Sequence, residues 1–507
     1  MTVRTPRSDS FDTIVVGSGI GGLVAAAALA RLRGQRVLVL EQHGTIGGFT
    51  HEFKRPGGYR WDVGVHYLGG MGPGDQGSRI LDRLGDGSLA FSRMPEPFER
   101  YVYPGLDFRQ PGDPDQFRAS LTAAFPRETR GIGRYLDAVH GAARWVAVHG
   151  VREVLPPLIR GGARMAFPRG GRVARRTTAE VLSGCVEDPL LRAVLASQWG
   201  DYGLRPGESA FGIHALIVDH YLRGGWYPVG GGGAIARSLR PTIEGTGGEV
   251  RAHARVRRIL VEHGRAVGVV MDSGDVLRAP FVISDAGAAN TYGHLLGDAA
   301  PAHARTALAR FPPPYTVVAV FLGLSGDPAT LGVNGGNVWV FEGTDHDDPA
   351  KLASYVSFPS MKDPLATAHT AEIISPVDAN AFREWAGRPW PRRDAAYLDA
   401  KNAIADRAMG LAETAIPGLR ALTAMREVAT PLTFAHFDGT ATGGVYGIPC
   451  VPVRFRDGFP RSRTAVPGLA LSGADAFSPG VMGAMMGGVK AACVAGGTSI
   501  MRSLMRS

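Results

Sequence analysis

The chain has 507 residues, of which 45% are hydrophobic and 20% charged, and its formal net charge is +9. This composition excludes a disordered or fibrous protein, and the length predicts two or three compact units. No helix-turn-helix, zinc-finger or RNA-binding signature accompanies the basic charge, so we expect no nucleic-acid partner. An anionic membrane surface and a general bias towards arginine remain open explanations of the charge.

Cysteines, histidines and apolar runs narrow the class further. Cys185, Cys450 and Cys493 are too scattered for a disulfide framework or a metal knuckle, and the fourteen histidines show no metal-binding spacing. Residues 1–11 lack the apolar core of a secretory signal, which favours a cytoplasmic protein. Residues 14–30 are apolar enough to suggest a membrane span, but their glycines would break a single helix, so we predict none.

The first motif is a glycine turn between a predicted strand, 13–16, and a predicted helix that runs to Leu32. It has the pattern G-x-G-x-x-G, with Gly17, Gly19 and Gly22 at the glycine positions. These glycines permit the turn, let the backbone approach a pyrophosphate, and let the helix pack on the strand. Glu41 ends the next strand and can accept hydrogen bonds from both ribose hydroxyls. An ordinary turn is the plain alternative, but this context predicts dinucleotide binding.

The rest of the chain follows in four blocks with different patterns. They are, in order, largely helical, short-stranded, stranded with a long helix, and a closing strand, turn and helix: 78–222, 223–300, 301–426 and 427–507. The closing strand is predicted at 468–472 and the closing helix, rich in small residues, at 482–495. No internal repeat is visible.

Several separated stretches resemble one family. They are the glycine pair Gly47 and Gly48, then WDVGVHYLGG at 61–70, QWGDYG at 198–203, HAL at 214–216 and HYLRGGWYPVGG at 220–231. They resemble the retinol-saturase branch of the flavin amine-oxidase and phytoene-desaturase superfamily, which includes relatives of carotenoid desaturases and isomerases. The resemblance covers nearly the whole chain. Phe49 departs from it, because relatives often carry a smaller residue or cysteine there.

The resemblance implies an α/β fold with a Rossmann-type FAD-binding domain assembled from separated segments. The FAD segments would be 10–77, 223–300 and 427–507, and a mixed α+β substrate lobe would come from 78–222 and 301–426. Only one G-x-G-x-x-G is evident, so a separate NAD(P)H domain is not expected and the electron partner stays open.

The resemblance also implies which residues hold FAD. Gly47 and Gly48 would keep the backbone close to the flavin, and the backbone of Val256 would contact the adenine. The closing stretch LSGADAFSPGVMGA at 471–484 resembles the family's last FAD motif. Its implied cofactor-binding residues are Gly473, Asp475, Gly480, Met482 and Gly483. Asp475 could bind the ribityl or pyrophosphate part, and the helix at Met482 would point its positive end at the flavin. A ligand-free turn with a capping aspartate is the alternative.

Reduction of a conjugated C=C bond needs a hydride at one carbon and a proton at the other. Seven titratable side chains in the family-like stretches are candidates: His66, Tyr67, Asp201, Tyr202, His214, His220 and Tyr221. We select His66, Tyr67, Tyr202, His220 and Tyr221 as catalytic candidates. A purely structural role stays open for each, since no pair has a spacing that compels an acid–base assignment.

The predicted function is redox change at a C=C bond of a long apolar polyene, such as a carotenoid, retinoid or polyunsaturated chain, with saturation favoured over desaturation or isomerisation. The expected partner is thus an apolar small molecule. Two alternatives stay open: a flavin amine oxidase, and a non-catalytic lipid- or prenyl-binding protein on the same fold.

One basic stretch, 151–176, predicts contact with a membrane surface. Leu, Ile, Met and Phe alternate there with seven arginines: Arg152, Arg160, Arg164, Arg169, Arg172, Arg175 and Arg176. Arginine beside apolar residues suits a protein that lies on a bilayer, through which a lipid-like polyene could enter. We therefore expect a cytoplasmic protein with peripheral contact at the inner membrane surface. A solvated basic region is the open alternative.

Overall fold

The structure is a computed structural model that describes residues 10–388, 393–440 and 442–505. Its strands are β1 (Thr13–Val16), β2 (Val37–Leu40), β3 (Glu52–Arg55), β4 (Tyr59–Asp62), β5 (Phe91–Arg93), β6 (Glu99–Tyr103), β7 (Leu106–Gln110), β8 (Trp226–Pro228), β9 (Glu249–Arg251), β10 (Val256–Glu262), β11 (Arg265–Met271), β12 (Val276–Arg278), β13 (Phe281–Ser284), β14 (Thr316–Leu324), β15 (Asn337–Phe341), β16 (Ala353–Ser357), β17 (Thr370–Val377), β18 (Thr423–Ala429) and β19 (Leu469–Leu471).

Its α-helices are α1 (Ile20–Arg33), α2 (Gln76–Leu84), α3 (Pro114–Ala124), α4 (Thr129–Val151), α5 (Pro157–Met165), α6 (Pro168–Ala174), α7 (Thr178–Cys185), α8 (Pro189–Ala196), α9 (Phe211–Tyr221), α10 (Gly233–Glu244), α11 (Ala288–Asn290), α12 (Ala302–Leu308), α13 (Pro359–Lys362), α14 (Ala395–Ala415), α15 (Leu419–Leu422), α16 (Pro431–Asp438), α17 (Pro452–Asp457), α18 (Val481–Gly496) and α19 (Ser499–Met505). None of these described helices is long and apolar enough to cross a membrane.

A five-stranded parallel sheet forms the first lobe, with the strand order β19-β13-β1-β2-β9. Strands β1 and β2 are buried along their whole length, because helices cover both faces of a parallel sheet. The Ala-rich helix α1 packs against both α10 and α18, which explains why it is apolar all round. The strands come from distant parts of the chain, and the predicted Rossmann-type α/β class is confirmed.

A seven-stranded mixed sheet forms the second lobe, with the order β18-β14-β17-β16-β15-β6-β7. The long helix α14 covers one of its faces and buries the apolar cluster around Val320, Val356 and Ile373. The other face looks towards the parallel sheet. A three-stranded antiparallel sheet, β10-β11-β12, lies beside the first lobe.

Block 78–222 is helical over most of its length but also contains β5, β6 and β7, which the sequence pattern did not predict. The hairpin β6–β7 turns at Gly105, whose φ is 82°, and it lies at the edge of the seven-stranded sheet. Its strands place charged residues such as Arg100, Asp107 and Arg109 among the apolar ones. An edge strand needs only one buried face, so its apolar signal is weak.

Candidate active site

One cavity of about 610 Å³ lies between the two lobes. On one side are the residues that follow the carboxyl ends of β1, β2, β13 and β19, which is where open parallel sheets bind ligands. On the other side are alternate residues of β14 and β17, namely Val317 and Ala319, and Ile374 and Pro376. The cavity thus has a nucleotide half, next to the parallel sheet, and an apolar half, next to the seven-stranded sheet.

The glycine turn is closely packed, and each predicted glycine has a distinct place. Gly17 has φ 99°, in the left-handed region, and it lines the cavity with Gly19. Gly22 does not line the cavity; a β-carbon there would overlap the carbonyl oxygen of Gly17, so Gly22 serves helix packing. A β-carbon on Gly21 would lie 2.5 Å from the backbone nitrogen of Gly473. The turn therefore leaves bare backbone facing the cavity.

Glu41 lies at the end of β2 and lines the cavity, as a ribose-binding carboxylate must. Its Oε2 accepts hydrogen bonds from the backbone nitrogen and the hydroxyl of Ser18, at 2.9 and 2.6 Å. Its Oε1 accepts one from the backbone nitrogen of His43, at 2.8 Å. The carboxylate is thus held in a fixed orientation at the edge of the glycine turn.

The second glycine pair lies directly on the first turn. Gly47 and Gly48 have φ 121° and 54°, and a β-carbon on Gly48 would lie 2.9 Å from the Cα of Gly19. The hydroxyl of Ser18 accepts a hydrogen bond from the backbone nitrogen of Gly47, at 3.0 Å. Both glycines line the cavity, and so does Val256 at the start of β10.

The closing motif contributes in two ways. Gly473, Asp475 and Gly480 line the cavity. Asp475 accepts hydrogen bonds from the backbone nitrogens of Ile448 and Ala288, each at 2.7 Å, so its carboxylate joins two loops. Met482 and Gly483 are not in the cavity wall.

Met482 and Gly483 instead serve helix packing. A β-carbon on Gly483 would overlap Ser478, and the sulfur of Met482 would lie 2.7 Å from a β-carbon on Gly77. Helix α18 begins one residue before Met482, at Val481, and its first turn borders the cavity through Val481 and Ala484.

Two further polar side chains of the nucleotide half were not predicted. Oδ2 of Asp438 and Oγ1 of Thr440 are buried without a hydrogen-bond partner among the described residues, and both residues line the cavity. Burial, and then the charge of Glu41, raise the pKa of Asp438 to about 7. A bound group rich in hydroxyls would satisfy both atoms, so the residues present fit the ribose of a dinucleotide.

The apolar half is walled mainly by aromatic side chains and small aliphatic ones. They are Trp199, Tyr315, Val317, Ala319, Trp339, Ala353, Tyr355, Ile374, Phe434, Val445 and Tyr446. The rings of Tyr315 and Tyr446 stack with centroids 6.0 Å apart, and Trp339 meets Tyr355 edge to face at 4.6 Å. Such a wall suits a long apolar ligand.

His66 is the predicted catalytic residue that lines this half. Its Nδ1 lies 2.7 Å from Oε2 of Glu372, whose side chain is fully buried. On β17, Glu372 lies two residues before Ile374 and four before Pro376, both of which line the cavity. The three side chains are therefore on the same face of the strand. No described residue forms a hydrogen bond with Nε2 of His66. The pair therefore has the geometry of an imidazole oriented by a carboxylate, as in acid–base sites.

Lys362 holds the backbone that carries His66. Its Nζ donates to the carbonyl oxygen of His66 at 2.8 Å, to Oδ1 of Asn337 at 2.6 Å and to the hydroxyl of Ser357 at 2.8 Å. Burial lowers the pKa of Lys362 to about 8. Burial also raises the pKa of nearby Glu99, which accepts from Asn337 and Trp339, to about 7.

Tyr67 and Tyr221 are placed behind the cavity wall. Tyr67 donates to Oδ2 of Asp201 at 2.6 Å, and Asp201 itself lines the cavity. The ring of Tyr221 stacks on that of Tyr67 with centroids 4.3 Å apart. Burial, followed by the charge of Glu99, raises the pKa of Asp201 well above its usual range. Tyr67 and Tyr221 thus position Asp201, and we place them as supporting residues rather than as groups that touch a substrate.

Tyr202, His214 and His220 lie outside the cavity wall. Tyr202 and Tyr135 bond the two ring nitrogens of His214, at 3.2 and 2.9 Å. Burial lowers the pKa of His214 to about 3 and that of His220 to about 4, so both are neutral. The ring of His220 packs against Gly69 and Gly70. These positions favour the structural role that the sequence left open for them.

Glu372 and Lys362 were absent from the predicted site. A signal for Glu372 existed in the sequence, because it is a lone acidic residue on one face of an otherwise apolar strand, Thr370–Val377. Lys362 lies in a short helix with no comparable pattern.

Comparison with known proteins agrees with this geometry. A family model described as an NAD(P)-binding Rossmann-like domain matches residues 15–84. The all-trans-retinol 13,14-reductase of Rattus norvegicus is 32% identical, over 94% of this chain and 84% of the relative. The chloroplastic prolycopene isomerase of Daucus carota is 25% identical, over 97% of this chain and 81% of the relative.

Among solved structures, the cyclohexylamine oxidase of Brevibacterium oxydans superimposes with a TM-score of 0.61 at 20% identity, covering 98% of this chain and 100% of that one. At that identity the likeness concerns the fold. The sequence relatives decide the family, because the match to the reductase exceeds 30% identity over nearly the whole chain. The chain therefore belongs to the all-trans-retinol 13,14-reductase family of flavin-dependent oxidoreductases.

Proposed function

We propose that this protein is an FAD-dependent reductase that saturates a C=C bond in a long apolar polyene, such as a carotenoid, a retinoid or a polyunsaturated chain. The observation that carries the proposal is that one continuous cavity joins the nucleotide half to the apolar half, with His66, the partner of Glu372, in its wall. The names of the relatives, a retinol reductase and a carotene isomerase, support a polyene rather than another apolar compound.

FAD fits the nucleotide half through residues that face it. The bare backbone of Gly17 and Gly19 would approach the pyrophosphate, while Glu41 and Asp438 would accept hydrogen bonds from ribose hydroxyls. When bound, reduced FAD would supply a hydride to one carbon of the double bond.

The protein's own groups supply the second hydrogen. With Nδ1 occupied by Glu372, Nε2 of His66 is the nitrogen that gives a proton to the other carbon. Glu372 fixes the orientation of the ring, and Lys362 fixes the loop below it. The aromatic wall keeps water away and holds the polyene. The double bond thus gains two electrons and two hydrogens in all.

The test is an anaerobic mixing experiment. The bound flavin is reduced, the excess reductant is removed, and the protein is mixed with a panel of carotenoids, retinoids and polyunsaturated lipids in detergent. The proposal expects the flavin to be reoxidised by at least one polyene, with a product heavier by two hydrogens. If no polyene reoxidises the flavin, the proposed substrate class is wrong.

The same experiment separates the other reactions that the fold supports. A product of unchanged mass but altered chromatographic retention indicates isomerisation. Reduction of the oxidised flavin by an amine, with release of hydrogen peroxide, indicates an amine oxidase. A purified protein that takes up no flavin indicates a binding protein on this fold.

A further inference from the structure

Exposed apolar side chains gather in one part of the described chain. Seven large hydrophobic residues are exposed among the described residues, and four of these seven lie within ten residues of one another, around α5. Leu158 is 98% exposed and Met165 80%, and Ile159 and Phe167 are 56% and 43% exposed. We call these four side chains, together with Arg160, Arg164, Arg169 and Arg172, the α5 patch.

The outer face of α5 has no partner within the described protein. Leu158 and Met165 are seven residues apart, so they lie two turns apart on one face of the helix. Ala163 is the only buried residue of the helix and marks the inner face. A β-carbon added to Gly161 or Gly162 would meet no neighbouring atom of the described protein within 4 Å, so there is open space beside both glycines. Two glycines also weaken a helix of this length in water, so an outer contact would stabilise it.

The charge around the patch has one sign. No Asp or Glu occurs between Glu153 and Glu180, whereas six arginines do. The side chains of Arg160, Arg164, Arg169 and Arg172 are exposed, and none forms an ion pair with a carboxylate of the described residues. Of the remaining two, Arg175 lies over the ring of Trp145 and Arg176 pairs with Glu180. The patch thus combines exposed apolar side chains with four exposed arginines whose charge no described carboxylate neutralises.

We propose that the α5 patch inserts into the interface of a bilayer that contains anionic lipid. Leucine, isoleucine, methionine and phenylalanine side chains would enter the boundary between headgroups and acyl chains, while the arginines would lie at the level of the phosphates. The single-sign charge selects an anionic lipid surface, and the protruding aliphatic side chains select a surface that they can penetrate.

The patch is connected to the cavity by a short path through the core. Val154, three residues before the start of α5, belongs to the same apolar cluster as Val481 and Phe477. A β-carbon on Gly150 would overlap the ring of Phe477. Val481 begins α18 and lines the cavity. This connection matters only if the proposed function holds: a polyene dissolved in the bilayer would then meet the protein close to its active site.

The first test is flotation of the flavin-loaded protein with two kinds of vesicle, phosphatidylcholine alone and phosphatidylcholine with an equal share of phosphatidylglycerol. The wild-type protein should float with the anionic vesicles, and far less with the neutral ones. Wild-type protein that stays at the bottom of the gradient with both kinds overturns the proposal.

Variants separate insertion from simple adsorption. The double change Leu158→Asp and Met165→Asp should abolish flotation, whereas Val276→Asp, at a residue 51% exposed elsewhere, should leave it unchanged. Arg160→Gln with Arg164→Gln should weaken binding about fivefold for each arginine removed, and more at low salt. If the arginine variant loses binding while the aspartate variant floats normally, the surface only adsorbs electrostatically and the insertion proposal is wrong.

A direct readout of depth is available because all three native cysteines are buried. A polarity-sensitive dye on Leu158→Cys should shift to the blue with anionic vesicles, and the same dye on Val276→Cys should not. Flavin reoxidation by a polyene in detergent should be unchanged in every patch variant, so a failed membrane test leaves the proposed reaction intact. No dye shift at residue 158 would contradict insertion.

Discussion

The nucleotide half of the cavity is built mainly from backbone, whereas the apolar half is built from side chains, many of which belong to the seven-stranded sheet. In the first, glycines from three separated segments touch one another so closely that a single methyl group has no space, as between Gly21 and Gly473. In the second, the functional groups are buried and ionisable, and they are held by hydrogen bonds to other side chains, as in the pair His66–Glu372. A site built from closely packed backbone tolerates almost no substitution. A site built from side chains can change its chemistry while the fold stays the same.

The largest effect is expected from Gly21→Ala. The added β-carbon would lie 2.5 Å from the backbone nitrogen of Gly473 and 2.6 Å from Oδ1 of Asp285, so the two segments must separate. We expect loss of about 3 kcal/mol of folding free energy and of the bound flavin, measured by denaturant unfolding and flavin absorbance.

Gly133→Ala in α4 is the control, because a β-carbon there meets no atom within 4 Å. It should raise stability slightly, by about 0.5 to 1 kcal/mol, and keep the flavin. Normal flavin content in Gly21→Ala would show that the nucleotide half is less tightly built than described.

The second prediction concerns the apolar half of the cavity and leaves the residues of the nucleotide half unchanged. Glu372→Gln keeps the shape of the side chain but removes the carboxylate that orients the ring of His66. Flavin reoxidation by the polyene should slow about 100-fold, in the range for loss of an acid–base group, with flavin content unchanged. Stopped-flow absorbance measures the rate.

Glu427→Gln makes the same change on β18 of the same sheet, at a partly exposed carboxylate paired with Arg55. It should leave the reoxidation rate as it is in the wild type. If Glu372→Gln also reacted at the wild-type rate, His66 would not be the proton donor.

A smaller effect is expected from Tyr67→Phe, which removes a hydroxyl and keeps the stacking on Tyr221. The lost hydrogen bond to Asp201 should slow reoxidation about tenfold, the factor for about 1.4 kcal/mol. Because that bond lowers the pKa of Asp201, the carboxyl should stay protonated to a higher pH in the variant, which a titration followed by the infrared carboxyl band measures.

Tyr101→Phe removes a comparable buried hydrogen bond, to Gln110 at 2.7 Å, away from the cavity. It should cost similar stability without changing the rate or its pH dependence. If Tyr67→Phe and Tyr101→Phe slowed flavin reoxidation equally, the role of Tyr67 would be packing alone.

The smallest effect concerns Asp438→Asn in the nucleotide half. The pKa of Asp438 is raised from 3.8 to about 7 in the folded protein, so the stability that this carboxyl contributes is full below about pH 4 and is lost as the pH rises through 7. The asparagine variant has no such loss. In flavin-free protein it should therefore match the wild type near pH 4 and become progressively more stable than the wild type as the pH rises towards 8. A difference that does not vary with pH would contradict the raised pKa.

The same contrast explains how far the sequence could predict the site. Gly17 and Glu41 could be proposed from one chain because a dinucleotide site demands particular residues at fixed places beside a strand and a helix, whereas Gly473 could be proposed only from the family resemblance. His66 could be proposed but not separated from His214 or His220, since the difference between them is burial and partner choice. His66 acquires its partner Glu372 only because residues 61–70 and β17, which are about 300 residues apart in sequence, lie side by side in the fold.

The fold was predictable to a similar degree. The parallel sheet follows from continuous apolar strands and the glycine turn, whereas the edge hairpin β6–β7 has a diluted apolar pattern and becomes regular only by pairing with β15. The roles of Glu372 and Lys362 could not be predicted for the same reason as the hairpin: both depend on contacts with residues that are remote in sequence, here with His66.

The central claim is that the apolar half delivers hydrogen to a polyene double bond. The most direct measurement is a single turnover of the reduced protein with a polyene in D₂O, followed by mass spectrometry of the product. The hydrogens on a reduced flavin and on His66 both exchange with solvent, so the account predicts two deuterium atoms, one on each carbon of the former double bond. A product with no deuterium, or with the mass of the starting polyene, would contradict it.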